Sequence, residues 1–185
     1  MSNSQKKDTK TQIMDLAEIA IIQRGYSAFS FRELAAQIGI KSASVHYHFP
    51  TKGDLAVSVM RRYKESFAKE LPQLEEIEAT PKQLINGFID GFKNKIVDNQ
   101  NMSLCTMLTT DVQKLPDEVK QELAAFYLIK LQWIEQVYLL EEATNESLAK
   151  QKANQMLASL HGASILVQAT GETERYEEAV AYLRE

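Results

Sequence analysis

Apolar residues recur at intervals of three and four positions along almost the whole sequence, which is the spacing of one face of an α-helix. The first such stripe consists of Ile13, Leu16, Ala17 and Ala20. Glycine and proline, with 7 and 4 occurrences in 185 residues, are about half as frequent as in an average protein. The sequence therefore predicts an all-α protein and disfavours turn-rich β-sandwiches, collagen and low-complexity arrays.

Start and stop signals divide these stripes into about nine helices. Ser30 with Glu33, and Thr51 with Asp54, have the spacing of capping boxes, and Gly39 is a stop signal between two short helices. The predicted helices cover approximately residues 8–24, 31–37, 42–49, 52–70, 81–96, 103–114, 117–141, 145–170 and 173–184.

Charge is distributed unevenly, because a basic N-terminal part precedes an acidic remainder. Residues 1–64 hold ten Lys and Arg against five Asp and Glu, whereas the remaining residues hold eleven against twenty. The net charge of the whole chain is −4. A basic part of this kind is expected when one end of a protein meets a polyanion such as a nucleic acid.

Membrane and secreted classes are disfavoured. The longest unbroken apolar run, Leu123–Ile129, has seven residues against the roughly 20 needed to cross a bilayer. Residues 1–7 are polar and without periodicity, so we expect a disordered arm there and no secretory signal. The single cysteine, Cys105, cannot form an internal disulfide. We therefore expect a cytoplasmic protein without a membrane partner.

The most specific pattern lies in residues 31–55, where two short helical stretches flank Gly39. This is the arrangement of a helix-turn-helix, in which one helix braces a second helix that enters the major groove of DNA. The second helix begins with Ser42, Ala43 and Ser44, whose small side chains keep its leading turn narrow. We therefore expect a DNA-binding head built from three helices.

The rest of the second helix has an inner and an outer side. Val45 and Phe49 are four residues apart and are expected to face the core. Tyr47 and His48 are then free to donate to phosphate oxygens, and His46 can meet a base edge. Two histidines two residues apart on a helix point roughly 200° from each other, so we expect no metal ion here.

Residues 8–65 resemble the DNA-binding region of the TetR (tetracycline repressor) family of bacterial transcriptional regulators. The residues that carry the resemblance are Ala17, Gly25 and the segments 30–35 (SFRELA), 38–40 (IGI) and 45–55 (VHYHFPTKGDL). His46 stands where the family more often has tyrosine. The resemblance implies a homodimer on a palindromic operator in double-stranded DNA.

By motif position, the resemblance also implies which residues contact DNA. Base contacts are assigned to Arg32, Ser42, Ala43 and His46, and phosphate contacts to Ser44, Tyr47, His48 and Lys52. Lys52 in addition places a cation at the N-terminus of the next helix, which itself attracts anions.

Beyond about residue 70 the resemblance rests on length and helix count, and it implies a helical body that dimerises and binds a small apolar or amphipathic effector. The candidate pocket lining consists of aromatic and sulfur-containing residues of the body: Phe88, Phe92, Cys105, Met107, Phe126, Tyr127 and Trp133. Each of them can equally be an ordinary core residue. For Cys105 the alternatives are an inert buried thiol and a sensor thiol.

The last two helices are the candidate dimer interface. Small and apolar residues alternate in steps of three and four along the penultimate helix, as in a helix packed against a long partner. The interface residues predicted from these helices are Met156, Leu160, Ala163, Val167 and Tyr176. His161 on the same stripe is either an interface residue or a core histidine with satisfied polar atoms.

We therefore predict a ligand-responsive transcriptional regulator, with a DNA-binding domain in residues 1–52 and an effector-binding and dimerisation domain in residues 53–185. Binding of the effector would release a repressor from its operator. An enzyme is disfavoured because the body has no hydrolase, metalloprotease or phosphate-loop motif, and no cofactor is expected. The remaining alternative is a helical adaptor or small-molecule-binding protein without sequence-specific DNA binding.

Overall fold

The computed structural model describes residues 8–76, 78–97, 102–141 and 145–185, and the regular elements in these ranges are all helical. Nine α-helices are present there: α1 (Thr9–Arg24), α2 (Phe31–Ile38), α3 (Ser42–His48), α4 (Lys52–Glu70), α5 (Pro81–Phe92), α6 (Leu104–Thr110), α7 (Asp117–Leu139), α8 (Glu146–Thr170) and α9 (Glu174–Val180). None of the described helices is long and apolar enough to span a membrane. The predicted all-α fold is confirmed, whereas the arm predicted for residues 1–7 lies outside the described residues.

Three helices end earlier than the spacing of apolar residues predicts. After Phe92, α5 passes into a wider π-helical turn at Lys93–Val97. α6 ends at Thr110 and is followed by a 3₁₀ turn at Val112–Lys114, and α9 ends at Val180 and is followed by a 3₁₀ turn at Ala181–Leu183. The three predicted helices ran through these short turns, because the spacing of apolar residues does not reveal a change of helical pitch over one turn.

The predicted capping boxes are present at the starts of α2 and α4. The backbone N–H of Glu33 donates to Ser30 Oγ at 3.3 Å, and the N–H of Ser30 donates to Glu33 Oε2 at 2.7 Å. Thr51 and Asp54 form the equivalent pair of hydrogen bonds, at 3.1 and 2.9 Å. Each box satisfies amide groups that have no partner within the first helical turn.

Two hydrophobic cores hold the helices together. The first joins α1 to α4 with α6 and the N-terminal part of α7, through residues such as Ile13, Leu104 and Phe126. The second joins α5, the C-terminal part of α7, α8 and α9. The first core therefore continues past residue 52, the predicted domain boundary, because α6 and α7 pack directly against the head. The assignment of DNA binding to the head and of effector binding and dimerisation to the body stays a proposal.

Polar contacts reinforce the junction between the head and the body. The backbone N–H of Tyr26, just after α1, donates to Asp111 Oδ2 at 2.9 Å. The hydrogen bond from Lys114, and then that from the Tyr26 backbone, lower the pKa of the Asp111 carboxyl. Arg61 of α4 also binds the Glu122 carboxylate of α7, at 2.7 Å.

Gly25 lies at the closest approach of this junction and provides a test of it. Its φ is +84°, and a Cβ atom there would lie 2.7 Å from Asp111 Oδ2. We expect Gly25→Ala to lower the free energy of unfolding by about 1–3 kcal/mol, because the backbone conformation and the contact both oppose a side chain. Urea unfolding followed by circular dichroism measures the change.

The matched control is Gly87→Ala, within α5. Nothing lies within 4 Å of the methyl group added at Gly87. We expect this substitution to raise the free energy of unfolding by about 0.5–1 kcal/mol, because alanine is the better helix former. If Gly25→Ala were as stable as Gly87→Ala, the close packing of the junction would be contradicted.

Candidate nucleic-acid interface

The turn between α2 and α3 is closed by Gly39. Its φ of +77° is a conformation that glycine adopts without strain. The N–H of Ile40 donates to the carbonyl oxygen of Ala35 at 3.0 Å, and that of Gly39 donates to Ala36 at 3.3 Å. These bonds end α2 and direct the chain into α3 within three residues.

Two apolar side chains anchor α3 from behind. Val45 is fully buried, and Phe49, the residue after the helix, is 2% exposed. Both belong to the first core, so the predicted inner side of this helix is confirmed. A helix of seven residues is marginal by itself, and its orientation therefore depends on this packing.

The outer side of α3 presents small and polar side chains. Tyr47 is 85% exposed, and Ala43 and His46 are exposed as well. Half-buried neighbours complete this side: Ser42, Ser44 and His48. The structure thus brings together the six α3 residues that the sequence assigned to DNA contacts.

The start of α2 lies next to this surface. The ring of His46 meets the ring of Phe31 edge-on, with centres 4.7 Å apart, and His46 Nδ1 lies 3.3 Å from the carbonyl oxygen of Pro50. These contacts hold the imidazole against α2. Arg32, the residue after Phe31, is exposed. Arg32 is therefore close to the outer side of α3, as a second candidate for base contacts requires.

Lys52 has a different environment from the one predicted. Its ammonium donates to the carbonyl oxygen of Phe29 at 2.7 Å and lies 4.2 Å from the centre of the Phe29 ring and 4.9 Å from that of Tyr26. Burial lowers the pKa of Lys52. The N-terminus of α4 also already holds the Asp54 carboxylate. The cation is thus engaged inside the head.

Nothing in the sequence indicated that α1 begins beside α3. Residues of both helices and of the intervening turn line a shallow depression: Thr9, Ile40, Ala43, Ser44, Tyr47 and His48. Asp8 caps α1 by accepting the N–H of Thr11 at 2.9 Å. This cap is a local signal for a helix start, but only the tertiary packing places Thr9 at the edge of the candidate interface.

A cavity of about 460 Å³ lies between α4, α5 and α7. Phe67 of α4, Phe88 and Phe92 of α5, and Trp133 of α7 contribute aromatic walls. The rings of Phe88 and Trp133 are stacked, with their centres 5.5 Å apart. The volume is in the range of small-molecule sites, which are mostly apolar with a few polar groups.

Three of the seven predicted pocket residues line this cavity: Phe88, Phe92 and Trp133. The other four are absent from its lining: Cys105, Met107, Phe126 and Tyr127. α6 and the N-terminal part of α7 direct these side chains toward the first core instead. Cys105 is fully buried, with its Sγ 3.0 Å from Ser103 Oγ, and this burial favours the inert thiol.

The sequence did not predict two contributions to the lining of the cavity. α4 supplies Tyr63 and Phe67. The spacing of apolar residues placed them on one face of a helix but did not indicate a cavity there. Lys130 of α7 also lines the cavity and is 4% exposed. It stands four residues after Phe126 and four before Ile134, both fully buried, so the helical period places it on the inner side.

The five side chains predicted for the dimer interface are buried inside one chain. Met156, Leu160, Ala163, Val167 and Tyr176 are 0, 0, 2, 8 and 0% exposed. They form part of the second core with α5 and α7. A partner could not reach them without unpacking the body. The alternation of small and apolar residues along α8 thus reflects packing within the chain. A dimer interface must therefore be sought on another surface.

His161 is half-buried in the body, among aromatic rings. Its ring lies between those of Phe92 and Tyr127, with centres 5.1 and 5.5 Å away, and its Nδ1 is 3.2 Å from Thr106 Oγ1. Among the described residues, its buried Nε2 has no hydrogen-bond partner. Burial, together with the charge of Lys130, lowers the pKa of His161 to about 4.

This environment predicts a loss of stability in mild acid. A histidine in the unfolded chain titrates near 6.5, so between pH 6.5 and about 4 the unfolded state binds more protons and is favoured. We expect His161→Gln to remove about 2–3 kcal/mol of that pH-dependent loss, measured by urea unfolding across the range. Thr110→Val, at an exposed position of the same helix α6, should keep the wild-type slope. An unchanged slope in His161→Gln would contradict the assignment.

The head and its outward-facing α3 define a helix-turn-helix protein. A family model described as "Bacterial regulatory proteins, tetR family" matches residues 13–59, from α1 to the first half of α4. A TetR transcriptional regulator from Legionella pneumophila has a similar structure over 97% of each chain, with a TM-score of 0.88 and 28% sequence identity. Residues 13–59 therefore match the DNA-binding region of the tetR family, which confirms the resemblance seen in this part of the sequence.

Two further relatives extend the comparison. The "Fatty acid metabolism regulator protein" of Bacillus subtilis (strain 168) is 24% identical over 104 residues, 56% of this chain and 54% of that protein, so the match spans about half of that relative. The structure of FadR from Bacillus subtilis in complex with stearoyl-CoA covers 95% of this chain and 97% of that chain, with a TM-score of 0.69 and 17% identity, a likeness of fold alone. These relatives are regulators and not enzymes, as predicted.

Proposed function

We propose that the chain is a transcriptional regulator that binds an operator in double-stranded DNA through the outer side of α3. The observation that carries the proposal is the geometry of this helix: Val45 and Phe49 anchor it in the core, while Tyr47 is 85% exposed. The match of residues 13–59 to the tetR family model supports DNA as the polyanion attracted by the basic N-terminal part. The proposed place of action is the cytoplasm.

The DNA contacts are assigned by position on the candidate interface. Base contacts come from Arg32, Ser42, Ala43 and His46, and phosphate contacts from Ser44, Tyr47 and His48. Lys52 takes another role in this proposal. To reach a phosphate it would have to break its hydrogen bond to Phe29, so we assign it to holding the start of α4 against the head.

A homodimer is supported by a second apolar face on α8. Its members are exposed and lie opposite the buried face of the helix: Ala158, Gly162, Ile165, Leu166 and Ala169. Ile165 and Leu166 are 51 and 49% exposed. The small residues allow a second helix to approach closely, and covering the two large side chains removes apolar surface from water. We propose that two copies pair through this face about a two-fold axis.

A palindromic operator follows from the symmetry of such a dimer. The two α3 helices would enter successive major grooves on one side of the duplex, which requires a separation of about 34–36 Å. A repressor is released when an effector binds preferentially to a conformation with a different separation.

α6 connects the cavity to the head and supports this coupling. Ser103, immediately before α6, lines the cavity, and Asp111, immediately after it, holds the backbone of Tyr26. A ligand that displaces the start of α6 would therefore shift the head at its other end. The FadR structure with bound stearoyl-CoA supports a small molecule as the effector.

Two substitutions on α3 test the DNA contacts on duplexes selected from a random pool. We expect Tyr47→Phe to weaken binding to all duplexes by the same factor, about threefold to tenfold, because one hydrogen bond to phosphate is lost. His46→Ala should instead change which sequence is preferred. Tyr182→Phe removes an exposed hydroxyl from the body and should leave binding unchanged. Fluorescence anisotropy measures each affinity.

The salt dependence of wild-type binding distinguishes the proposed regulator from the adaptor. Phosphate contacts require the affinity for any duplex to fall steeply as salt rises. Absent or salt-independent binding would support the adaptor without DNA binding. A Tyr47→Phe variant that altered sequence preference would reverse the roles of Tyr47 and His46.

The proposed dimer face is tested by Ile165→Glu. We expect this variant to sediment as a monomer, because two carboxylates would be buried close to the two-fold axis. Ile19→Glu is the matched control, since Ile19 is 49% exposed on α1 in the head, and it should leave the dimer intact. A dimeric Ile165→Glu variant would move the interface away from this face of α8.

A further inference from the structure

The ammonium of Lys130 is buried without a carboxylate partner. The residue is 4% exposed, and within the described ranges no Asp or Glu forms an ion pair with it. Its nearest polar contact is Cys105 Sγ, at 4.0 Å. A lysine is almost never fully buried unless it is paired, so this position calls for an explanation.

Aromatic rings replace the missing partner only in part. Lys130 Nζ lies 4.5 Å from the ring centre of Phe126, 5.4 Å from that of Phe67 and 5.5 Å from that of Phe92. Cation–π contacts are weaker than a hydrogen-bonded ion pair in the same surroundings. Accordingly, burial lowers the pKa of Lys130. A methionine would fill this space without the cost of desolvating a charge.

Lys130 lies on the wall of the cavity, in its buried part. Phe67 and Phe92, which its ammonium approaches, are lining residues, and so is the buried Ser103. The lining also has exposed members, among them Glu70 and Lys95, which pair with each other. The Lys130 ammonium is therefore a buried charge on the cavity wall, whereas the charges of Glu70 and Lys95 lie at the surface.

We propose that the cavity takes an organic carboxylate with an apolar body, whose carboxylate pairs with the Lys130 ammonium in the buried part of the cavity. The inference rests on the proposed function, in which this cavity receives the effector, and it specifies the chemical class of that ligand. The hydroxyl of Ser103 is already engaged by Cys105 Sγ at 3.0 Å and Thr106 Oγ1 at 2.8 Å, so Lys130 is the group that meets the carboxylate. The stacked Phe88 and Trp133 cover the apolar body.

Other ligand classes fit the same space less well. An amine would bring a second positive charge toward Lys130, and a neutral alcohol would leave the ammonium without a counterion. A thioester of a large anionic carrier would place its charge outside the buried part of the cavity and its neutral tail against Lys130. Only a small acid provides the missing negative charge where the unpaired cation lies.

Calorimetric titration with decanoate, decanol and decylammonium tests the proposal on the full chain without DNA. The two ionic ligands are kept below their critical micelle concentrations and decanol below its solubility limit. We expect wild-type protein to bind decanoate about tenfold or more tightly than decanol, and to bind decylammonium weakest. Equal affinity for decanoate and decanol, or no binding of decanoate, would overturn the proposal. This comparison needs no variant, so it does not depend on whether a substituted chain folds.

Lys130→Met then identifies the group responsible. We expect it to bind decanoate and decanol equally, whereas Lys152→Met should keep the wild-type preference. Lys152 is the matched control because its ammonium also lies over a ring, 4.9 Å from the centre of Tyr138, but outside the cavity. A preference for decanoate retained in Lys130→Met would also overturn the proposal. Failure of DNA binding alone would leave these titrations unaffected, so the two proposals fail separately.

Discussion

The burial of Val45 and Phe49 is the contact on which the proposed DNA-binding surface depends. α3 has seven residues, too few to hold a conformation by its own hydrogen bonds. Its direction is set by side chains that insert between the other helices of the first core. Because the inner side is fixed in this way, the outer side presents Tyr47 and its neighbours as one rigid surface. A loosely attached α3 would lose both affinity and sequence preference.

The same core makes the head continuous with the ligand cavity. Phe126 of α7 belongs to the first core, and its ring lies 5.1 Å from those of both Tyr63 and Phe67, which line the cavity from α4. Lys130 lies over the ring of Phe126 at 4.5 Å. A charge that binds at Lys130 therefore acts on side chains packed directly against the head. α6 provides a second connection between the cavity and the head, because Asp111, immediately after α6, accepts a hydrogen bond from the backbone of Tyr26.

Local signals account for the parts of the structure that could be predicted. The spacing of apolar residues and capping pairs such as Ser30 with Glu33 describe interactions within a few residues. Most helix starts and the inner side of α3 therefore follow from sequence, whereas the ends of α5, α6 and α9 do not. The engagement of Lys52 with Phe29 could not be predicted, because it joins residues 23 positions apart whose distance only the fold defines.

α8 shows a second limit of prediction from sequence. This helix is apolar on two opposite faces, and the period alone does not say which face packs within the chain and which is left for a partner. Met156 and Leu160 fill the second core, while Ile165 and Leu166 remain exposed. Lys130 shows a third limit of prediction from sequence. Its charge predicts a solvent-exposed side chain, whereas its spacing from the apolar residues of α7 predicts a buried one.

Photo-cross-linking to a selected duplex that carries 5-iodouracil tests the central claim most directly, because it identifies the residues that touch the bases. The account predicts cross-linked peptides from residues 42–48, at two positions on the duplex about one helical turn apart. Cross-links concentrated in the body, with none from α3, would contradict it.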